Sequence, residues 1–338
     1  MAKRARVSGG RRLPAPRGGA LRRGRLAISK EDRVKTRKQL DKLRGLVMTK
    51  RVENRYKKAL QRFFHFEEIN GERYSTSEVA LDQGVCCFIE SLWQAGEPRY
   101  WGEDVISALV KAVPQLKGFF PGAWQLVSAW QKHELPQRCV PLTVNLLKAM
   151  CGVAISWGNT SMALCLAVAF QGILRTEETY SMAVKDFTFH PFNGTCVLTL
   201  PFTKSGTRFN VVESVVLDDA ALNRKLREHF RSLPATQAMV YAEGSRIFRG
   251  LFDEISAYLL LPNTLLYKPY SIRRGAATEF FRMTGSLSRT TVRGRWQNEK
   301  TCRIYINESM SMMGDIQFSP RCRDRIAHFA KVAEVYFS

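Results

Sequence analysis

Acid is short relative to base in this 338-residue sequence: 30 Asp and Glu stand against 52 Lys and Arg, a formal net charge of +22. A field of that sign repels cationic partners and draws polyanions, of which nucleic acid is the commonest. Ribosomal and membrane-surface proteins are the other classes such a balance admits. Long apolar runs are missing too. The longest, Ala163 to Leu174, is interrupted by Gln171 and falls short of the ~20 residues a spanning helix needs. The basic first residues have no apolar stretch behind them and are not expected to act as a secretory signal. The eight cysteines contain no C-x-x-C pair, and the five histidines are scattered, so no zinc-ligand spacing is present. Most cysteines sit in apolar segments, which predicts reduced, buried thiols in an intracellular protein.

What is present suffices for two domains and a tail: 45% of residues are hydrophobic and 11% aromatic. Residues 1–30 hold no acid, many arginines and frequent Gly and Pro, and cannot bury enough apolar surface to fold alone. Residues 1–49 are expected to be a basic, largely disordered arm running into a helix; the arm binds DNA phosphates or serves as a nuclear localisation signal in a eukaryotic host. Residues 31 to about 66 show helical spacing through Tyr56, Ala59, Leu60, Phe63 and Phe64. Helices are also expected from the cap region Ser75-Thr76-Ser77-Glu78 through Leu92, weakened by Gly84, and over 103–113 and 123–132. Residues 50–133 thus read as a small helical domain, and 134–142, with Pro136 and Pro141, as a linker.

From 143 to 338 the apolar density rises. Buried helices are expected over 143–153 and 160–172, then a turn and helix opened by Arg175 over 174–187. Residues 195–202 and 208–217 are rich in β-branched residues, and the turn between them carries Lys204. Helices follow over 219–231 and 247–261, with a last amphipathic one over 321–337 after an irregular, Met-rich connection. The fold class is mainly α with a small antiparallel β-sheet.

The stretch from Tyr267 to Tyr305 carries the chemistry. Arg273 and Arg274 open a helix, a loop follows at Gly285, and Gly294-Arg295-Trp296 precedes Tyr305 by a short helix. Planar guanidinium N–H pairs match the two non-bridging oxygens of a phosphate, and a phenol is a competent nucleophile. Together they suit phosphodiester chemistry without a metal or other cofactor.

Four boxes in order resemble the tyrosine recombinases, the phage-integrase family. Gly172-Ile173-Leu174-Arg175-Thr176-Glu177-Glu178, with Val184-Lys185-Asp186-Phe187 after it, is similar to the first arginine box. Lys204 in its hairpin turn resembles the catalytic lysine, and Tyr270-Ser271-Ile272-Arg273 the H-x-x-R box. Gly294-Arg295-Trp296 looks like the G-H or G-R-W turn, with Tyr305 nine residues after Trp296, the spacing to the nucleophile. The match spans about residues 143–308, and the helical domain before it resembles the core-binding domain that completes a clamp around DNA.

The resemblance implies an α+β catalytic domain that cleaves DNA through a 3′-phosphotyrosine on Tyr305, without metal or ATP. Arg175 and Arg273 would hold the phosphate, Lys204 would protonate the leaving 5′-oxygen, and Glu178 or Asp186 would orient Arg175. Arg274, Arg295 and Arg208 are candidate DNA contacts; Arg274 either meets phosphate or caps the fold. Tyr270 and Trp296 stand where the family has histidines, and neither can shuttle a proton as imidazole does. Two functions are therefore open: an active recombinase or integrase of a mobile element, or a domesticated DNA-binding protein of the same fold with impaired chemistry. A nicking and closing enzyme of the type IB topoisomerase kind shares the chemistry. The implied partners are double-stranded DNA and further copies of the chain, as a homo-tetramer on paired sites assembled through the C-terminal helix, with no membrane. The last helix would dock either on a neighbouring copy or on its own domain.

Overall fold

The computed structural model describes residues 29–38, 47–71, 73–74, 77–135, 137–201, 203, 206, 211–234 and 237–338. They divide into two units, Lys30–Gln137 and Arg138–Ser338, both mainly helical, with one three-stranded antiparallel sheet in the second. The basic arm up to residue 28 lies outside the described residues, as do Lys204 and Arg208. Among the described residues no helix is long and apolar enough to cross a membrane.

The first unit contains α1 (Lys30–Lys38), α2 (Lys50–Asn70), α3 (Glu78–Gln94), α4 (Tyr100–Ala112) and α5 (Pro121–His133). The continuous helix expected over 31–66 is instead two helices. Thr49 Oγ1 accepts from the Val52 N–H to start α2 afresh, and Gly71, at φ 66°, ends it. Gly84, which counted against α3 in the sequence, has a packing reason. A Cβ there would stand 2.3 Å from Cγ of Tyr74, whose ring occupies the space. Phe63, Phe88, Ile89, Val105, Ile106, Val127 and Trp130 fill the core. The Asp82 carboxylate accepts from Gly122 and Ala123 N–H at 2.9 and 3.0 Å, closing the start of α5 where no side-chain cap precedes it.

In the second unit α6 (Val144–Ser156) is apolar except at Asn145, Lys148 and Ser156, and α7 (Thr160–Gln171) is apolar nearly all round, because neighbours cover most of both. α8 (Thr176–Thr179) leads to β1 (Phe187–Phe189), β2 (Cys196–Leu200) and β3 (Glu213–Leu217), paired in the order β1-β2-β3. Phe187 faces Leu198, and Cys196 faces Leu217. Cys196, Leu198, Leu200, Val215 and Leu217 point into the core, while Val197 and Val216 point out, the alternation a half-covered sheet requires. The helices α9 (Ala220–Ser232), α10 (Gly244–Tyr258), α11 (Tyr270–Thr284), α12 (Leu287–Arg293), α13 (Glu299–Arg303), α14 (Glu308–Gln317) and α15 (Pro320–Phe337) complete the unit.

Three expectations about this unit are corrected. The helix opened by Arg175 is a single turn, because Asp186 accepts from the Ala183 N–H and Phe187 is drawn into the sheet opposite Leu198. The loop expected after Gly285 is largely α12, started by Ser286 Oγ accepting from Arg289 N–H. The irregular Met-rich connection is α14, capped by Asn307 Oδ1 on Met310 N–H at 2.9 Å. Only Gly314 of α14 is buried, so it shows no apolar stripe to read in the sequence.

The last helix packs on its own domain. Cys322, Ile326, Ala330 and Ala333 are buried, Lys148 pairs with Glu334 at 2.8 Å, and Gly152 of α6 lies against the Phe329 carbonyl. Within the single chain this stripe therefore packs in cis.

Candidate active site

The site grows from two helix ends. α7 stops at Gly172, and the next residue, Ile173, has φ 46°; Ile173 N–H bonds to Phe170 O and Leu174 N–H to Ala169 O. α12 stops at Gly294, and Arg295 has φ 58°, with Arg295 N–H on Val292 O and Trp296 N–H on Thr291 O. Both are Schellman ends, with Ile and Arg at the left-handed position that glycine usually takes. Each non-glycine residue there costs roughly 1–2 kcal/mol, and a β-branched one is rare. The two strained turns coincide with the boxes singled out in the sequence.

What the turns hold is Arg273. It lies in the first turn of α11 and is 1% exposed. Its Nη1 donates to Ile173 O and its Nη2 to Gly294 O at 2.6 Å. The guanidinium thus sits between the carbonyl ends of two helices, whose partial negative charge stabilises a cation. Trp296 and Tyr305 cover it, with ring centroids 4.4 and 5.4 Å from its central carbon. Burial, with Arg175 and Arg295 nearby, still lowers its pKa to about 10.

Beside it lies a buried ion cluster. Glu178 accepts from the Arg175 backbone N–H at 2.8 Å, from Arg175 Nη1 at 2.7 Å and from Arg295 Nη2 at 2.7 Å. Glu213, the first residue of β3, brings Oε2 to 3.7 Å from both Arg175 Nη1 and Arg295 Nε. Three guanidiniums (Arg175, Arg273, Arg295) face two carboxylates (Glu178, Glu213), leaving one net positive charge. Arg175 is the most open of the three, with a quarter of its side chain exposed.

Tyr305 follows α13 and is anchored on both sides. Arg274 Nη1 and Arg138 Nη1 donate to the preceding Ile304 carbonyl at 3.0 and 3.3 Å, and Asn307 N–H donates to Thr278 Oγ1 at 3.2 Å. Its ring lies 4.6 Å from that of Trp296, and its hydroxyl accepts from Tyr270 Oη at 2.6 Å. Burial opposes ionisation of Tyr305. The Tyr270 hydrogen bond, the charges of Arg273 and Arg175 and the Trp296 indole outweigh it, so the phenol lies below its ordinary pKa. Trp296 Nε1 is buried without a partner in good hydrogen-bond geometry, so its effect on Tyr305 is that of a nearby dipole.

Of the residues expected at the site, Arg175, Glu178, Tyr270, Arg273, Trp296 and Tyr305 come together. Arg295 is also here, but as a buried ion-pair partner with its side chain 7% exposed, not as a surface DNA contact. Arg274 is buried as well and is occupied with the Ile304 carbonyl, so of the two roles open to it the structure assigns the one within the fold. The Asp186 carboxylate closes the turn before β1, leaving Glu178 and Glu213 as the acids seen against Arg175. Glu213 was not singled out in the sequence, although a lone acid opening an apolar strand is a signal for a buried cation. No signal pointed to Arg138.

No protein-family model matches the sequence, and no curated protein does. Solved structures do. The chain is similar to the XerH site-specific recombinase in a post-cleavage complex on a palindromic difH substrate, with TM-score 0.54 and 15% identity over 88% of this chain and 86% of that one. It is similar to a lambda integrase dimer bound to a COC′ core site, with TM-score 0.55 and 12% identity over 83% and 78% of the two chains. It is also similar to the Tn1549 transposon integrase in complex with a circular intermediate DNA, with TM-score 0.55 and 11% identity over 84% and 97%. A sheet of three antiparallel strands within a helical unit, and the boxes gathered around Arg273, agree with that likeness: the chain has the tyrosine recombinase fold.

Proposed function

We propose that the protein is a site-specific DNA recombinase or integrase that breaks and rejoins DNA through a covalent bond to Tyr305. The observation that carries this reading is the convergence of Arg175, Arg273 and the Tyr305 hydroxyl on one small, net positive site. Tyr305 Oη attacks the scissile phosphorus, the bond to the 5′-oxygen breaks, and a 3′-phosphotyrosine remains. Arg175 meets the non-bridging oxygens from its exposed side. Arg273 lies beneath the Tyr305 ring and adds fixed positive charge, reaching the phosphate directly only once that ring lifts. Preorganised donors of this kind are worth about 3–4 kcal/mol each. Lys204, by the resemblance, protonates the leaving 5′-oxygen. The guanidiniums supply the charge that a metal would otherwise bring, and the covalent bond conserves the phosphodiester energy, so the reaction asks for neither metal nor ATP.

Double-stranded DNA is the substrate, attracted by the net charge of +22. Recombination joins two sites, so a homo-tetramer on paired DNA belongs to this reading. Assembly through the C-terminal helix belongs to the same proposal; α15 packs on its own domain within one chain, and loss of higher assembly on DNA when residues 318–338 are deleted would support it. In a eukaryotic host the basic arm would direct the chain to the nucleus.

A second reading, a DNA-binding protein of this fold with impaired chemistry, is favoured by two observations. Both histidine positions are filled by Tyr270 and Trp296, and Arg273 is almost completely covered. Covalent trapping separates the two. Protein is mixed with a nicked, randomised duplex library in EDTA, denatured in SDS, and the protein-linked DNA is sequenced beside a Tyr305→Phe control. Adducts that disappear in the control support the recombinase. Salt-sensitive binding without adducts supports the second reading.

A further inference from the structure

The Tyr305 oxygen has a neighbour that strand cleavage does not by itself require. Tyr270 donates its hydroxyl proton to that oxygen at 2.6 Å, and the two rings are tilted against each other with centroids 5.7 Å apart. Tyr270 opens α11, three residues before Arg273, and is 39% exposed. The two phenols are not equivalent. Tyr305 lies over the Arg273 guanidinium and is pinned by the Trp296 ring, whereas Tyr270 stands at the rim. A phenol that donates to a second phenol stabilises an anion on the acceptor and opposes one on itself. The ionisation tendencies follow this direction: Tyr305 is lowered, while burial and the donated bond push Tyr270 far up.

We infer that Tyr270 is the positioning residue of the nucleophile, a fixed donor that aims the Tyr305 oxygen and raises its phenolate fraction. The inference rests on reading Tyr305 as the nucleophile. The proton that Tyr305 loses passes to water, and Tyr270 keeps its own throughout. As the Tyr305 Oη–P bond forms, the P–O5′ bond breaks with its electron pair leaving on the 5′-oxygen, which takes a proton from the general acid. Tyr270 therefore stands in for a histidine without being a base. It gives by a hydrogen bond part of what imidazole would give by accepting a proton. The same bond tempers the nucleophilicity of the phenolate, so its benefit is greatest near neutral pH, where little phenolate would otherwise exist.

The test needs no DNA. Full-length protein labelled with 13C at tyrosine Cζ is titrated by NMR, and the Tyr305 signal is identified by its loss in Tyr305→Phe. In Tyr270→Phe, which keeps the ring and its packing, the Tyr305 midpoint is expected to rise by about one pH unit or more, a tenfold or greater fall in phenolate at neutral pH. Tyr270→His, whose N–H can donate, is expected to restore part of the shift and serves as the test should the Phe variant not fold. If covalent trapping succeeds, the pH–rate profile of cleavage should move by the same interval in Tyr270→Phe, with DNA affinity unchanged. An unmoved Tyr305 midpoint in a folded Tyr270→Phe protein would overturn the inference, as would Tyr270 titrating before Tyr305 or carrying the DNA adduct. A protein that shows the shift but forms no adduct would keep the phenol pair and lose the recombinase reading.

Discussion

Replacing Glu178 by Gln tests the ion cluster directly. The carboxylate is 5% exposed and accepts three hydrogen bonds, one from the Arg175 backbone and one from each of the Arg175 and Arg295 guanidiniums. Gln keeps the shape and an acceptor oxygen but removes the charge. The local balance then changes from three cations against two anions to three against one, with Glu213 at 3.7 Å as the remaining counterion. Arg295 suffers most, because its Nε and Nη1 already have no hydrogen-bond partner and burial already lowers its pKa. Removing one partner of a buried pair costs about 3–5 kcal/mol. For a unit of about 200 residues each kcal/mol moves Tm by roughly 2–4 °C, so the expected fall is about 6–20 °C. Calorimetry of the whole chain would follow the transition of this unit, and the fall should persist in high salt because buried pairs are poorly screened. Arg295→Gly in the same background should recover part of the loss, since it removes the orphaned cation and relieves the φ of 58°. A fall below about 3 °C would refute the argument, for Arg175 and Arg295 would then not depend on the Glu178 charge.

Other perturbations follow from close approaches and from one buried histidine. Gly294→Ala would set a Cβ 1.8 Å from Trp296 Cζ3; the indole must shift off Arg273, with a loss of about 1–3 kcal/mol in urea unfolding and a changed tryptophan emission. Gly152→Ala would place a Cβ 1.9 Å from the Phe329 carbonyl oxygen, and backbone yields little, so displacement of α15 should cost about 3 kcal/mol and open the last helix to protease. His229, half-buried beside Ser161 Oγ at 2.9 Å, has its pKa lowered by burial. Its contribution to stability is therefore complete above the ordinary histidine pKa and lost as pH falls through the lowered one; His229→Gln should flatten that part of the stability–pH curve.

Much of the site could be read from the chain because its parts are local. The first arginine box is a helix end followed by a one-turn helix with acids in its first turn, and Trp296 and Tyr305 are nine residues apart across one short helix. The pairs that cross the domain left little trace. Glu213 meets Arg175 and Arg295 only because β3 is brought beside both, and Arg138 reaches the Ile304 carbonyl across 166 residues of sequence. The helix at 308–317 leaves little trace for a different reason: with only Gly314 buried, its pattern carries no periodicity, and the Asn307 cap and Glu308 in the first turn are its local signs.

The amino-acid order alone determined the positive field, the helical periods, the sheet's β-branched segments and the residue types gathered for phosphate chemistry, because each of these depends on composition or on neighbours a few residues apart. Only tertiary structure decided how far each arginine is buried and against which acceptor. Arg175, although paired with Glu178, keeps a quarter of its side chain exposed, whereas Arg273, Arg274 and Arg295 are buried against carbonyl oxygens or carboxylates contributed by distant segments. An arginine's sequence neighbours are the same in either case; its role turns on the partner that folding brings to it, since a buried guanidinium persists only where acceptors replace the water it has lost.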